Sequence, residues 1–125
     1  MLEAVHHAAI IVSDYARAKE FYVEKLGLPL LRETRRPDRG DCKLDLALGG
    51  SELEIFVKPG APPRVNRPEA LGLRHLAFRV ADTEAAAVWL RKRGIETEPV
   101  RTDPCTGGKF TFFFDPDGLP LEIHE

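Results

Sequence analysis

The chain matches itself at an offset of 68 residues, and this internal repeat constrains the fold more than any other feature of the sequence. At that offset His7-Ala8-Ala9-Ile10-Ile11-Val12-Ser13-Asp14 falls on His75-Leu76-Ala77-Phe78-Arg79-Val80-Ala81-Asp82, with the histidine, the second alanine, the valine and the aspartate coinciding. The same shift lays Gly50 on Gly118 and Leu53-Glu54-Ile55 on Leu121-Glu122-Ile123, while Gly27 and Gly94 are one residue out of step. His7 precedes Glu54 by 47 positions, and His75 precedes Glu122 by the same 47. Chance supplies any one such match easily; a histidine, aspartate, glycine and glutamate recurring in one order point to a duplication.

Each half reads as one βαβββ module, which makes the chain α+β. The first module spans 1–57 and the second 73–125. Val5–Ser13 and Leu73–Ala81 are the matching β-branched strands. Asp14 caps a helix with Ala18, Phe21, Tyr22 and Leu26 on its apolar face, closed by Gly27. Asp82 or Thr83 caps the second helix, with Ala86, Trp89 and Leu90 expected inward and Gly94 behind them. Three strands follow each helix: Leu30–Arg36, Lys43–Leu48 and Glu52–Val57, then Glu96–Arg101, Phe110–Phe114 and Leu119–Glu125. Gly49-Gly50 and Asp115-Pro116-Asp117-Gly118 mark the hairpin turns. Pro99 confines its strand to an edge or a bulge. Lys58–Gly72 carries four prolines and reads as an extended linker between the modules.

At 125 residues the chain can bury a core without disulfides, and a net charge of −2 argues against a nucleic-acid or anionic-membrane surface. Cys42 and Cys105 form no CxxC pattern and read as reduced thiols of a cytoplasmic protein. The apolar run near the start, Ala8–Val12, suits a buried strand; it is too short for a membrane span and has no basic leader before it.

Alternation along a strand puts His7 on a face with Ala9 and Ile11, and Glu54 on a face with Glu52 and Phe56. His75 similarly shares a face with Ala77 and Arg79, and Glu122 with Pro120 and His124. A carboxylate aimed into a sheet concavity is costly unless it is paired or bound to a metal. Two imidazoles and two carboxylates, His7, Glu54, His75 and Glu122, form a mixed nitrogen and oxygen set suited to Ni²⁺ or Zn²⁺ first, and also to Co²⁺, Fe²⁺ or Mn²⁺. Single strand histidines and glutamates are ordinarily structural or solvated. His6 is set aside because its counterpart is Arg74, Glu52 because its counterpart is Pro120, and His124 because it lies near the terminus.

A strand histidine seven positions before a helix-capping aspartate, then Phe21-Tyr22 and Leu26-Gly27-Leu28, resembles the vicinal oxygen chelate superfamily. The resemblance covers nearly the whole chain, as one domain over 1–125. It is most specific at Gly72-Leu73-Arg74-His75-Leu76-Ala77-Phe78 and at Asp115-Pro116-Asp117-Gly118-Leu119-Pro120-Leu121-Glu122. It implies paired modules forming a U-shaped mixed sheet around a metal, with helices outside. Glyoxalase I places a ligand on each of four strands, and His7, Glu54, His75 and Glu122 fall on all four places. The implied chemistry is a lyase or isomerase reaction: proton transfer in a methylglyoxal–thiol hemithioacetal through a metal-stabilised enediolate, with Glu122 the better general base and Glu54 the weaker. Arg79, on the His75 face, and Lys109, beside Gly107-Gly108, are candidate substrate contacts. No carboxylate clamp for glutathione is recognisable. An epimerase would use the same site. An extradiol-type dioxygenase would use His7, His75 and Glu122 on Fe²⁺, and a metal-free drug-binding protein would have no need of four matched ligands. The resemblance also implies a homodimer acting on a small molecule.

Overall fold

Asp14 and Asp82 each follow a strand and cap a helix. In the computed structural model, which describes residues 1–125, the Asp14 carboxylate accepts the Arg17 N–H at 2.8 Å, and Asp82 accepts that of Ala85 at 3.0 Å. Both bonds satisfy amides that the first helical turn leaves without partners. Asp82, rather than Thr83, is therefore the second cap. The chain divides into two compact units, Met1–Pro62 and Pro63–Glu125, with the boundary inside the proline-rich segment.

The first unit runs β1 (His7–Val12), α1 (Tyr15–Lys19), a π-helical segment (Glu20–Lys25), β2 (Leu30–Arg36), β3 (Asp41–Leu48) and β4 (Ser51–Val57). Its strands lie in the order β1-β4-β3-β2, with β1 parallel to β4 and the other neighbours antiparallel. The second unit runs β5 (Leu76–Arg79), α2 (Thr83–Lys92), β6 (Arg101–Thr102), β7 (Lys109–Phe114) and β8 (Pro120–His124). Its order, β5-β8-β7-β6, repeats the first, again with the outer pair β5 and β8 parallel. The fold is thus α+β, built on two four-stranded mixed sheets.

One face of each sheet is the core. Ile10, Val12, Leu44, Leu46, Leu53, Ile55 and Val57 alternate inward and are buried, together with Ala18, Phe21 and Tyr22 of the first helical segment. In the second unit Thr111, Phe113, Leu121 and Ile123 are buried, as are Thr83, Ala87 and Leu90 of α2. Gly27 and Gly94, at φ 73° and 77°, end their helices in the left-handed region that side chains resist. Beyond Gly94 the amide of Ile95 returns to the Leu90 carbonyl at 3.1 Å and its side chain closes over the core.

Three expectations change. Trp89 is not inward: it is 39% exposed, with the Arg93 guanidinium 3.8 Å above its ring, and Ala87 takes the buried place. The strand expected over Glu96–Arg101 shrinks to the edge pair Arg101–Thr102. Pro99 has no N–H for a ladder, and the buried Thr111 hydroxyl bonds the Glu98 carbonyl at 2.7 Å instead. The linker is not simply extended either, because its second half packs as part of the second unit. There Asn66 donates to the Gly118 carbonyl at 2.7 Å.

The hairpin of β2 and β3 is closed by Arg36, whose Nε donates to Asp41 Oδ1 at 2.7 Å while Nη2 donates to Oδ2. These bonds hold the Asp41 carboxyl below its ordinary value, with Lys58 at 3.6 Å adding to the effect. A depressed folded-state value means that the pair's stabilisation is present above about pH 4 and is lost as pH falls through the folded value. Asp41→Asn should therefore be less stable than wild type at pH 7, and the difference should shrink below about pH 4. Urea unfolding at pH 7 and pH 3 checks this; a difference equal at both would show that the ion pair contributes nothing.

Candidate functional site

The second face of each sheet carries the residues singled out by the repeat. In the first unit, parallel pairing sets Ala9 opposite Glu54, so His7 and Glu54 are diagonal neighbours on one face. His7 Nε2 lies 3.0 Å from Glu54 Oε2. In the second unit, Ala77 sits opposite Glu122 in the same register, and His75 Nε2 lies 2.8 Å from Glu122 Oε2. The duplication thus yields the same imidazole–carboxylate pair twice, through the same atoms. Within neither unit do three His, Cys, Asp or Glu side chains form a group that could hold a metal, although His6 Nδ1 lies 2.9 Å from His7 Nδ1.

The pairs differ in their surroundings. Glu54 faces a charged surface: its Oε1 is 2.7 Å from the Lys43 ammonium, which also stands 3.3 Å from Asp45. Arg32 reaches Asp45 at 3.1 Å and Glu52 at 2.7 Å. Asp45 is only 2% exposed, and its Oδ1 has no hydrogen bond, so its charge rests on Arg32 and on the through-space pull of Lys43. The bond to Glu54 raises the Lys43 ammonium above its ordinary value, and the bond to Asp45 does the same for the Arg32 guanidinium. Both cations stay charged across the neutral range.

Glu122 faces aromatic carbon. It is buried, at 7% exposure, and β7 sets Phe112 opposite it. The Phe112 ring meets the His75 ring edge-on with centroids 5.1 Å apart. Apart from His75, Glu122 makes no hydrogen bond or ion pair, and Arg74 and His124 act on it only at longer range. Beside His75 opens a cavity of about 590 Å³ within the second unit, floored by Phe110, Phe112 and Phe114. That volume suits a small-molecule ligand.

The donor set fits a divalent ion. Two donors held about 2.1 Å from one ion and at right angles stand about 3.0 Å apart, which is the spacing within each His–Glu pair. Each pair offers a neutral imidazole and a carboxylate, the mixed nitrogen and oxygen set that divalent transition ions take. His7 and Glu54 in the first unit, and His75 and Glu122 in the second, are the residues that could offer ligands to such an ion.

The two expected substrate contacts separate. Arg79 is exposed on the His75 face, opposite His124, and does not line the cavity. Lys109 lies on the other face: alternation groups it with Thr111 and Phe113, and its ammonium is 3.7 Å from Glu84 of α2. Lys109 does not line the cavity beside His75. Sequence reading missed the Lys43–Asp45–Arg32 network and the aromatic floor. The alternation of Cys42-Lys43-Leu44-Asp45-Leu46 carried a signal for the first, since it places Lys43 and Asp45 opposite the buried leucines.

The sequence profile of the Glyoxalase/Bleomycin resistance protein/Dioxygenase superfamily matches residues 4–123. The chain belongs to that superfamily. It is 57% identical to the Bacillus subtilis protein YwkD, over 100% of this chain and 98% of that one. A crystal structure of a glyoxalase family protein from Enterococcus faecalis superposes with a TM-score of 0.94 at 58% identity, covering 98% of both chains. A 2-epi-5-epi-valiolone epimerase of an Actinomyces species is 33% identical over 96% of this chain and 78% of its own. Membership agrees with the resemblance read from His7-to-Asp14 and the Asp115–Glu122 stretch. No helix is long and apolar enough to cross a membrane, and both Cys42, buried, and Cys105, exposed, are free thiols.

Proposed function

We propose that the protein is a metal-dependent lyase or isomerase of the glyoxalase I kind, moving a proton between adjacent carbons of a methylglyoxal–thiol hemithioacetal. The observation that carries the reading is the twofold His–Glu pair with ligand spacing, His7–Glu54 and His75–Glu122. Each pair offers an imidazole and a carboxylate to a divalent ion, Ni²⁺ or Zn²⁺ in preference to Co²⁺, Fe²⁺ or Mn²⁺. Bound there, the ion supplies Lewis-acid stabilisation of the negative charge that grows on the substrate oxygens as the C–H proton leaves.

Glu122 is the general base. One of its oxygens meets His75 and the other has no partner, so it is open to accept a proton. It takes the proton from the carbon that bears the thiol sulfur and returns it to the neighbouring carbonyl carbon, leaving a lactoyl thioester. Glu122 is only 7% exposed, with Phe112 opposite it on β7. Glu54 has both oxygens engaged, by His7 and by Lys43, which suits a ligand more than a base. A second reading, epimerisation at a carbon next to a carbonyl, uses the same residues and is favoured by the 33% identity to an epimerase. The two readings are separated by the product, which changes constitution in the first and only configuration in the second.

Titration of the apo protein with Ni²⁺, Co²⁺ and Zn²⁺ should show one saturable site per chain, with affinity falling as pH is lowered and the ligands take up protons. Loss of that saturation in His75→Ala would confirm the ligand assignment, and no saturable site in the wild type would remove the metal reading. Sedimentation at micromolar concentration should give the mass of a homodimer; a monomer would contradict that part of the proposal alone. With metal in excess, Glu122→Gln should lower thioester formation by ~10²–10⁴-fold, because an amide cannot take the proton. Glu54→Gln should cost less. Equal losses would replace Glu122 as sole base with a base shared between the two glutamates, and oxygen uptake with catechols in place of isomerisation would favour a dioxygenase.

A further inference from the structure

The segment leading to His75 brings a surplus of positive charge to the cavity beside it. Arg64, Arg67, Arg74 and Arg101 all line that cavity. Two of them are matched by carboxylates: Arg74 makes two bonds to Glu69, at 2.7 and 3.2 Å, and Arg101 meets Glu98 at 3.1 Å. The other two are not. Arg64 is held by neutral acceptors, the Asn66 side chain at 2.6 Å and the carbonyls of Leu73 and Arg74 at 2.9 and 3.0 Å. Arg67 makes no hydrogen bond and acts on Glu69 only through space. Two guanidinium charges therefore face the cavity without a carboxylate of their own. Arg101 also stands against the aromatic floor, its guanidinium carbon 5.1 and 5.8 Å from the Phe110 and Phe112 ring centroids.

We infer that this cavity binds a substrate part with an anionic group, a carboxylate or a phosphate, carried on a flat or apolar body. The inference deepens the proposed function, on which it rests for the assumption that the His75–Glu122 site acts on a small molecule. It also bears on the thiol: a three-carbon dicarbonyl would leave most of about 590 Å³ unfilled, whereas an adduct extended by an acidic group would use both the volume and the charge. Guanidinium forks recognise both anions with paired N–H donors, so the shared chemistry is a planar or tetrahedral oxyanion. Arg64 acts as a positioning residue, bonding the Leu73 and Arg74 carbonyls just before His75, while Arg67, which has no carboxylate partner, and Arg101, which is shared with Glu98, are the donors for the ligand.

The test uses the full-length protein stripped of metal with EDTA, titrated with 2-naphthoate, 2-naphthyl phosphate and the neutral 2-naphthylmethanol. The better anion should bind about tenfold more tightly than the alcohol, with its advantage falling as NaCl rises. Arg67→Gln and Arg101→Gln should each reduce anion affinity by about three- to tenfold and leave the alcohol unchanged, while Lys92→Gln, at the end of α2, should change neither. Arg67 is exposed and unpaired, so its replacement leaves the fold intact even if the edge strand at Arg101 proves sensitive. Whichever of the two anions binds more tightly identifies the group. An alcohol that binds as well as the anions, or anion affinity unchanged in both arginine variants, would overturn the inference. No metal or turnover enters the measurement, so its result is independent of the metal titration.

Discussion

Parallel pairing of the first strand of each module with its last is the constraint on which the site depends. β1 lies beside β4 and β5 beside β8, so residues 47 positions apart become neighbours on one sheet face. A parallel pair cannot be closed by a tight turn; the chain must cross over through a helix and two further strands before it returns. The module supplies that crossover, and its register leaves the histidine diagonal to the glutamate. A slip of one residue would turn Glu54 or Glu122 into the hydrophobic core, where no partner waits for its charge. Burial of Leu53 and Ile55, and of Leu121 and Ile123, on the opposite face therefore fixes where the carboxylates point.

Duplication then allowed the two halves to diverge around a constant pair. In the first unit the face around Glu54 became ionic, with Lys43, Asp45, Arg32 and Glu52 linked in a chain of salt bridges. In the second the same positions became aromatic, with Phe110 and Phe112 across β7 from His124 and Glu122. The physical consequence is a division between two glutamates that the sequence presents as equals. One is held by an ammonium on each approach not taken by histidine; the other is wrapped in carbon and keeps an oxygen without a partner. Separate environments for matched carboxylates are how sites assign different duties to the same side chain.

Cation placement follows the same logic of local pairing. Lys109 looks like a substrate contact when read beside its flexible glycines, yet strand alternation commits it to the helix side, where Glu84 meets it. Arg64 and Arg67, in a segment with no periodic pattern, come instead to the cavity because Arg64 and Asn66 bond back to Leu73, Arg74 and Gly118. Irregular segments carry no period from which a facing direction can be read, so their side chains find their places only through such closing bonds.

What the sequence by itself determined is the module and its repeat. Alternation along the strands, the capping aspartates and the helix-ending glycines are short-range rules, and they placed β1 to β5, β7, β8, both helices and the faces of His7, Glu54, His75 and Glu122. The repeat added a long-range fact, that each histidine has one particular glutamate as its partner. Tertiary structure alone decided what surrounds each pair: the ionic net at Glu54, the phenylalanine floor at Glu122, the exposure of Trp89 and the two-residue length of β6. Those outcomes depend on which side chains from distant strands meet across a sheet face, and on backbone groups that one proline leaves unpaired. Neither is encoded in the spacing of any single segment.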